Sequence, residues 1–128
     1  MNTSNTFIFF GIAGSGKGTQ VELIQKYLKE KYIASEFIFA SPGSEYRKIA
    51  SSGSYSSEKI KEVMESGLLL PDFLTISLVT SSIANNITKD SVLIADGYPR
   101  TINQSIALEQ TLDFYGRNGA HVIYIEVS

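Results

Sequence analysis

A glycine-rich stretch between an apolar run and an amphipathic run constrains this chain more than any other feature. Residues 11–20 read GIAGSGKGTQ, and residues 6–10, TFIFF, are short, apolar and aromatic, which predicts a buried strand before the glycines. After the glycines, Val21, Ile24 and Leu28 share one helical face, which predicts an amphipathic helix. A strand, a glycine-rich turn and a helix in this order are the context of a phosphate-binding loop.

The residue types in this loop suit an anion. Glycines let successive backbone N–H groups curl around a phosphate, and a helix that begins near Gly16 points its positive end at the same group. Lys17 can then reach the β- and γ-phosphates of a nucleotide. The general pattern has Ser or Thr directly after the lysine, whereas this chain has Gly18 there and the hydroxyl at Thr19. The predicted ATP-binding residues are Gly14, Ser15, Gly16, Lys17, Gly18 and Thr19.

A second apolar run ends in a carboxylate. Residues 91–95 are almost continuously apolar and lead into Asp96, which predicts a strand buried on both faces, as in a parallel sheet. A carboxylate at such a strand end can hold Mg²⁺, directly or through waters, so Asp96 is the predicted metal residue. Arg100 follows closely and is expected to face the same cleft, where a guanidinium suits phosphate oxygens.

Strands and helices alternate along the rest of the chain. This pattern predicts an α/β fold with a doubly wound, mostly parallel sheet, in which ligands bind at the carboxyl ends of the strands. On the fourth predicted helix, an apolar stripe of Leu74, Leu78 and Ile83 is expected to face the core. The predicted strands are 6–10, 36–40, 91–96 and 121–127; the predicted helices are 16–28, 45–50 after an N-cap at Ser44, 57–66, 71–86 and 101–115.

Composition narrows the class of partners. The chain has 128 residues, which is one domain by length, and a net charge of −2, which indicates neither a nucleic-acid nor a membrane surface. It has no cysteine, which fits a reducing compartment such as the cytoplasm. The polar first residues give no sign of a signal peptide. Together with the predicted phosphate-binding loop, this leaves small-molecule nucleotides as the predicted partners.

The two motifs together resemble one enzyme family. The loop GxxGxGKGTQ and the later Asp-Gly-Tyr-Pro-Arg at residues 96–100 resemble the signatures of adenylate kinases and related nucleoside monophosphate kinases. The resemblance implies transfer of the γ-phosphoryl group of MgATP to AMP, giving two ADP. It also implies catalytic roles for Lys17, Arg100 and Arg47, the last in the position of a second phosphate-binding arginine.

The resemblance also assigns an acceptor site. Residues 41–70 are similar to the family's helical NMP-binding segment, and Gln104 matches a glutamine that hydrogen-bonds adenine. Pro42 stands where adenylate kinases usually have threonine, so a contact to the base is missing or replaced, and a UMP/CMP-type kinase stays open as an alternative. The implied AMP-binding residues are Pro42, Arg47, Leu68, Leu69, Leu70, Gly97, Tyr98, Pro99, Arg100 and Gln104.

The resemblance covers essentially this whole chain but only part of the family's fold. Family members continue beyond the position of Ser128 with a mobile lid, so we expect a partial phosphate-loop kinase domain over residues 1–128 that lacks the lid. It is either a fragment or a reduced homologue, and a nucleotide-binding module without turnover is a further alternative. Residues 121–127 are expected to leave an unguarded strand edge through which the chain could self-associate.

Overall fold

The computed structural model describes residues 5–11, 17–32, 35–117 and 119–125, without the side chains of Lys17 and Gly18. The strands are β1 (Thr6–Gly11), β2 (Phe37–Ala40), β3 (Val92–Asp96) and β4 (His121–Ile125). The helices are α1 (Lys17–Lys31), α2 (Pro42–Ala50), α3 (Tyr55–Glu65), α4 (Asp72–Asn86) and α5 (Ile102–Phe114).

The four strands form one parallel sheet in the order β2-β3-β1-β4. β3 is a central strand, and its residues Val92, Leu93, Ile94 and Ala95 are fully buried. The continuous apolar run predicted this burial, because a strand covered on both faces has no polar side to present. The predicted α/β fold class is confirmed.

Helices cover both faces of the sheet because alternate strand residues point to opposite sides. On one face, Phe7 and Phe9 pack with Val21 and Leu28 of α1. On the other face, residues of β1, β2 and β3 pack against α4 and α5. The members of this second core are Ile8, Ile38, Ala40, Val79, Ile83, Leu93, Ala95, Tyr98, Leu108 and Leu112.

Two predicted helix starts were wrong. α2 begins at Pro42 rather than after Ser44, with Ser41 in the N-cap position. A proline is well placed there, because the first turn leaves its N–H groups without intrahelical partners. α3 begins at Tyr55 rather than near Ser57, because the side chain of Ser54 caps it by accepting a hydrogen bond from the N–H of Ser57 at 3.1 Å.

The predicted core stripe of α4 was also shifted. Thr75, Val79 and Ile83 are the buried residues of this helix, whereas Leu74 and Leu78 are only half-buried. Thr75 can be buried because its hydroxyl shares a hydrogen bond with the hydroxyl of Tyr46 on α2. A polar residue thus occupies a core position that the apolar pattern assigned to its neighbour, and the same bond links α2 to α4.

Arg117, between α5 and β4, is buried with 5% of its surface exposed. Its guanidinium donates hydrogen bonds to the carbonyl of Asn5 at 3.3 Å, the carbonyl of Thr88 at 3.0 Å and the hydroxyl of Ser91 at 3.3 Å. Burial lowers the pKa of Arg117, and the charge of Asp90 opposes that shift. The residue joins three loops at the amino ends of the strands, far from the carboxyl edge.

Candidate nucleotide site

The carboxyl ends of β1 and β3 lie side by side. Phe9 of β1 is in register with Asp96, the last residue of β3. The predicted phosphate loop follows β1, and helix α1 begins within that motif, at Lys17. Residues 12–16, which include Gly14, Ser15 and Gly16, lie outside the described residues, as do the side chains of Lys17 and Gly18; Thr19 is exposed on α1. The topology therefore brings the two motifs of the sequence to one edge of the sheet.

The helical segment after β2 flanks β3 on its other side. Ala40, the last residue of β2, is in register with Ala95 of β3, so α2 starts at the same sheet edge as the turn after Asp96. Arg47 lies on α2 with its side chain exposed. β3 thus lies between the strand that leads into the predicted phosphate loop and the strand that leads into residues 41–70, so Asp96 ends the strand between the two predicted binding segments.

The turn after β3 brings the Arg100 side chain back onto Gly97. The Arg100 Nε–H donates a hydrogen bond to the Gly97 carbonyl at 3.0 Å. Gly97 has φ +73°, and a Cβ built on it would lie 3.2 Å from Arg100 Nη2. Only glycine allows both the left-handed backbone and this close approach without strain. Tyr98 is buried beneath the turn, and the Tyr98–Pro99 peptide bond is cis.

A second set of contacts fixes the start of α5. The Thr101 hydroxyl caps this helix by accepting from the Gln104 N–H at 3.2 Å. The Gln104 side chain accepts from the Arg100 backbone N–H at 2.8 Å and donates to Asp72 Oδ1 at 3.2 Å. Gln104 is therefore a buried member of a network, which the sequence pattern did not indicate, and its predicted contact with adenine stays a prediction.

The apolar connector lies just before α4. Leu68 and Leu69 are 68% and 87% exposed, and Leu70 is half-buried. Leucines this exposed are free to meet a ligand, and they precede Asp72, whose carboxylate touches the start of α5. The segment, the turn after β3 and the start of α5 are thus neighbours, as the predicted acceptor site requires.

The donor set of this edge fits magnesium better than a transition metal. Within the described ranges, no group of three or more His, Cys, Asp or Glu side chains could enclose a metal ion. Mg²⁺ does not need such a cage, because it usually takes one or two carboxylates, several waters and the phosphates of a nucleotide. A single carboxylate at a strand end, as Asp96 provides, fits that requirement.

Comparison with known proteins gives one family. The family model described as adenylate kinase matches residues 9–128. An adenylate kinase of Dehalococcoides mccartyi (strain CBDB1) is 39% identical over 120 residues, which is 94% of this chain and 52% of that protein. An adenylate kinase of Desulforamulus reducens is 37% identical over 120 residues, covering 94% and 53% of the two chains. The chain spans about half the length of the curated relatives that it matches.

Proposed function

This chain belongs to the adenylate kinase family, and from that premise we propose that it serves transfer of the γ-phosphoryl group of MgATP to AMP, giving two ADP. The observation that carries the proposal is the pairing of β1 with β3. This pairing joins the glycine-rich loop, which suits donor phosphates, to Asp96 and Arg100, which suit a metal and an acceptor phosphate. The chain spans about half the length of its relatives, so the phosphoryl transfer itself is proposed for the whole protein.

The loop binds the donor nucleotide, and two arginines bind the acceptor. Lys17 and the backbone N–H groups of residues 14–19 hold the β- and γ-phosphates of ATP. Arg100 and Arg47 bind the phosphate of the acceptor, so that one of its oxygens is in line with the γ-phosphorus. No general base is needed, because the attacking phosphate oxygen is already ionised. Positioning and charge neutralisation therefore supply the catalysis, as is general for phosphoryl transfer.

Asp96 would hold the magnesium ion, directly or through waters. When bound, the ion neutralises charge on the donor phosphates. The carboxylate lies one strand away from the start of the loop, so it can serve a nucleotide that the loop holds. Residues 41–70 would form the acceptor side, with Leu68, Leu69 and Leu70 against the base. Pro42, as the first residue of α2, offers neither a hydroxyl nor an N–H there, which is why CMP and UMP belong in every acceptor test.

Calorimetry with ATP on two lysine variants tests the donor side. Lys17→Ala is expected to weaken ATP binding roughly 10- to 100-fold, since hydrogen bonds to charged groups contribute about 1.5–3 kcal/mol. Lys26→Ala is the matched control, because Lys26 is an exposed lysine on the same helix and its loss changes the net charge equally. Equal affinities of the two variants would remove the phosphate-loop assignment.

The acceptor side and the metal need separate readouts. Asp96→Asn is expected to reduce the gain in ATP affinity that Mg²⁺ gives while leaving metal-free binding nearly unchanged. ADP formation with AMP, CMP and UMP as acceptors then distinguishes three outcomes. Preference for AMP supports the proposal, equal use of CMP favours the pyrimidine kinase, and tight binding without ADP formation identifies a binding module.

A further inference from the structure

Asp72 joins the starts of two helices. It is the first residue of α4, and its carboxylate accepts hydrogen bonds from three side chains at the start of α5. Thr101 Oγ1 donates to Oδ1 at 3.1 Å, Asn103 Nδ2 donates to Oδ2 at 3.2 Å and Gln104 Nε2 donates to Oδ1 at 3.2 Å. An ionised carboxylate offers only acceptors, so each of these partners must present a donor to it.

The Gln104 amide is held at both of its ends. Its Oε1 accepts from the Arg100 backbone N–H at 2.8 Å, and its Nε2 donates to Asp72. If the amide were turned over, its NH₂ group would face the Arg100 N–H and its oxygen would face the carboxylate. Both contacts would then be repulsive, and an unmade hydrogen bond of a buried group is costly. Both neighbours therefore select the same orientation of this 6% exposed side chain.

We propose that Asp72 is a positioning residue that locks the Gln104 amide in one orientation and thereby makes the acceptor site selective for bases that present an amino donor beside a ring-nitrogen acceptor. The inference rests on the proposed function and on the predicted contact of Gln104 with the base of the acceptor. Asp72 and Arg100 use one N–H and one lone pair of the amide, which leaves one N–H and one lone pair for a ligand. The side chains of Arg100 and Asn103 are exposed, so the network lies at the surface of the domain.

An amide that is held in one orientation distinguishes bases by the order of hydrogen-bond donors and acceptors along their edge. Its oxygen needs a donor opposite it and its nitrogen needs an acceptor. Adenine and cytosine present an amino donor beside a ring-nitrogen acceptor, whereas guanine and uracil present a carbonyl acceptor beside a ring N–H donor. Among bases of equal ring size, the site should thus favour AMP over GMP and CMP over UMP.

The variant Asp72→Asn tests this role. An asparagine offers both a donor and an acceptor, so it no longer selects an orientation of the Gln104 amide, and the Arg100 backbone N–H is left as the one contact that does. Dissociation constants for AMP, GMP, CMP and UMP are measured by calorimetry, and the ratios GMP/AMP and UMP/CMP compare bases of equal ring size. In the unaltered chain we expect AMP to bind roughly tenfold more tightly than GMP, and CMP roughly tenfold more tightly than UMP. In Asp72→Asn we expect both of these gaps in affinity to fall below about threefold.

The variant Asn103→Ala is the matched control. It removes one hydrogen bond of Asp72 but leaves both contacts of the Gln104 amide in place, so it should preserve the two gaps even if it lowers stability. If Asn103→Ala narrows the gaps as much as Asp72→Asn does, loosening of the helix starts explains the effect and the proposal is overturned. Gaps that persist in Asp72→Asn also overturn it.

Two further results complete the test. An unaltered chain that binds none of the four nucleotides would refute the proposed function together with this inference, whereas binding without a preference for AMP over GMP would refute the inference alone. If Asp72→Asn does not fold, the side-chain NH₂ of Gln104 is followed by NMR in the unaltered chain. Slow hydrogen exchange and one set of resonances are expected, and a freely turning, rapidly exchanging amide would contradict the lock.

Discussion

Gly97→Ala is expected to weaken acceptor binding as well as stability, because the site of the change carries two separate constraints. The backbone at Gly97 has φ +73°, where an alanine costs roughly 1–2 kcal/mol in the folded state. The added Cβ would also lie 3.2 Å from Arg100 Nη2, closer than ordinary contact. The end of the guanidinium must then shift, and the 3.0 Å hydrogen bond from Arg100 Nε to the Gly97 carbonyl is perturbed.

The chain offers a control in which only the first constraint operates. Gly116 has φ +70°, and a Cβ built on it would meet nothing within 4 Å. We therefore expect Gly97→Ala and Gly116→Ala to lower the free energy of unfolding by a similar amount, about 1–2 kcal/mol, in urea denaturation. Calorimetry with AMP should show a loss of about three- to tenfold in affinity for Gly97→Ala only.

The comparison of the two variants decides what the Arg100 side chain contributes. Equal AMP affinity in both would refute the reasoning, because the position of the guanidinium would then not matter for the acceptor. A loss of affinity in Gly116→Ala as large as that in Gly97→Ala would also refute it, since general destabilisation would explain both results.

Three further predictions concern the pH dependence, the stability and the association of the chain. Burial raises the pKa of Tyr98 above its ordinary value of 10.0, so the folded state holds this proton more tightly than the unfolded state and loses stability as pH rises past 10; Tyr98→Phe should remove this part of the alkaline loss in urea denaturation. Arg117→Met removes three donated hydrogen bonds and should lower the free energy of unfolding by about 1–3 kcal/mol, and an unchanged urea midpoint would contradict this. Val122 and Tyr124 are 63% and 60% exposed on β4, whose outer edge pairs with no described strand, so light scattering across a concentration series should detect self-association that Val122→Lys reduces.

The strands and the fold class could be predicted because their signals are local. A run such as residues 92–95 is apolar in every position, which suits a central strand that is covered on both faces of a parallel sheet. Helix starts were less predictable, because several serines near each start can cap it. Ser54 rather than its neighbours caps α3, and the choice depends on packing: Ser57, which was expected to start the helix, is buried and donates to the carbonyl of Ala50 at 2.9 Å.

The contacts of Asp72 and Arg117 could not be predicted, since both residues act over long sequence separations. The partners of Asp72 lie about 30 residues further along the chain, and Arg117 reaches a carbonyl 112 residues away. An aspartate at a helix start is explained by the helix dipole alone, and an arginine in a polar loop is explained by solvent. Neither pattern contains a signal for its second role, which exists only once α4, α5 and the strands are in place.

The predicted acceptor residues are positioned by the starts of helices more than by the sheet. Thr101 caps α5 and also donates to Asp72, and Gln104 holds the Arg100 backbone while it donates to the same carboxylate. Asp72 is in turn the first residue of α4, directly after the segment 41–70 that would enclose the base. A movement of that segment therefore reaches the Arg100 backbone through only two hydrogen bonds, from Arg100 to Gln104 and from Gln104 to Asp72. Through this short path, a change at the base would affect the predicted phosphate-binding residue Arg100. Substitutions at Asp72 should therefore change the affinity for AMP more than the affinity for adenosine, which lacks the phosphate that Arg100 is proposed to bind.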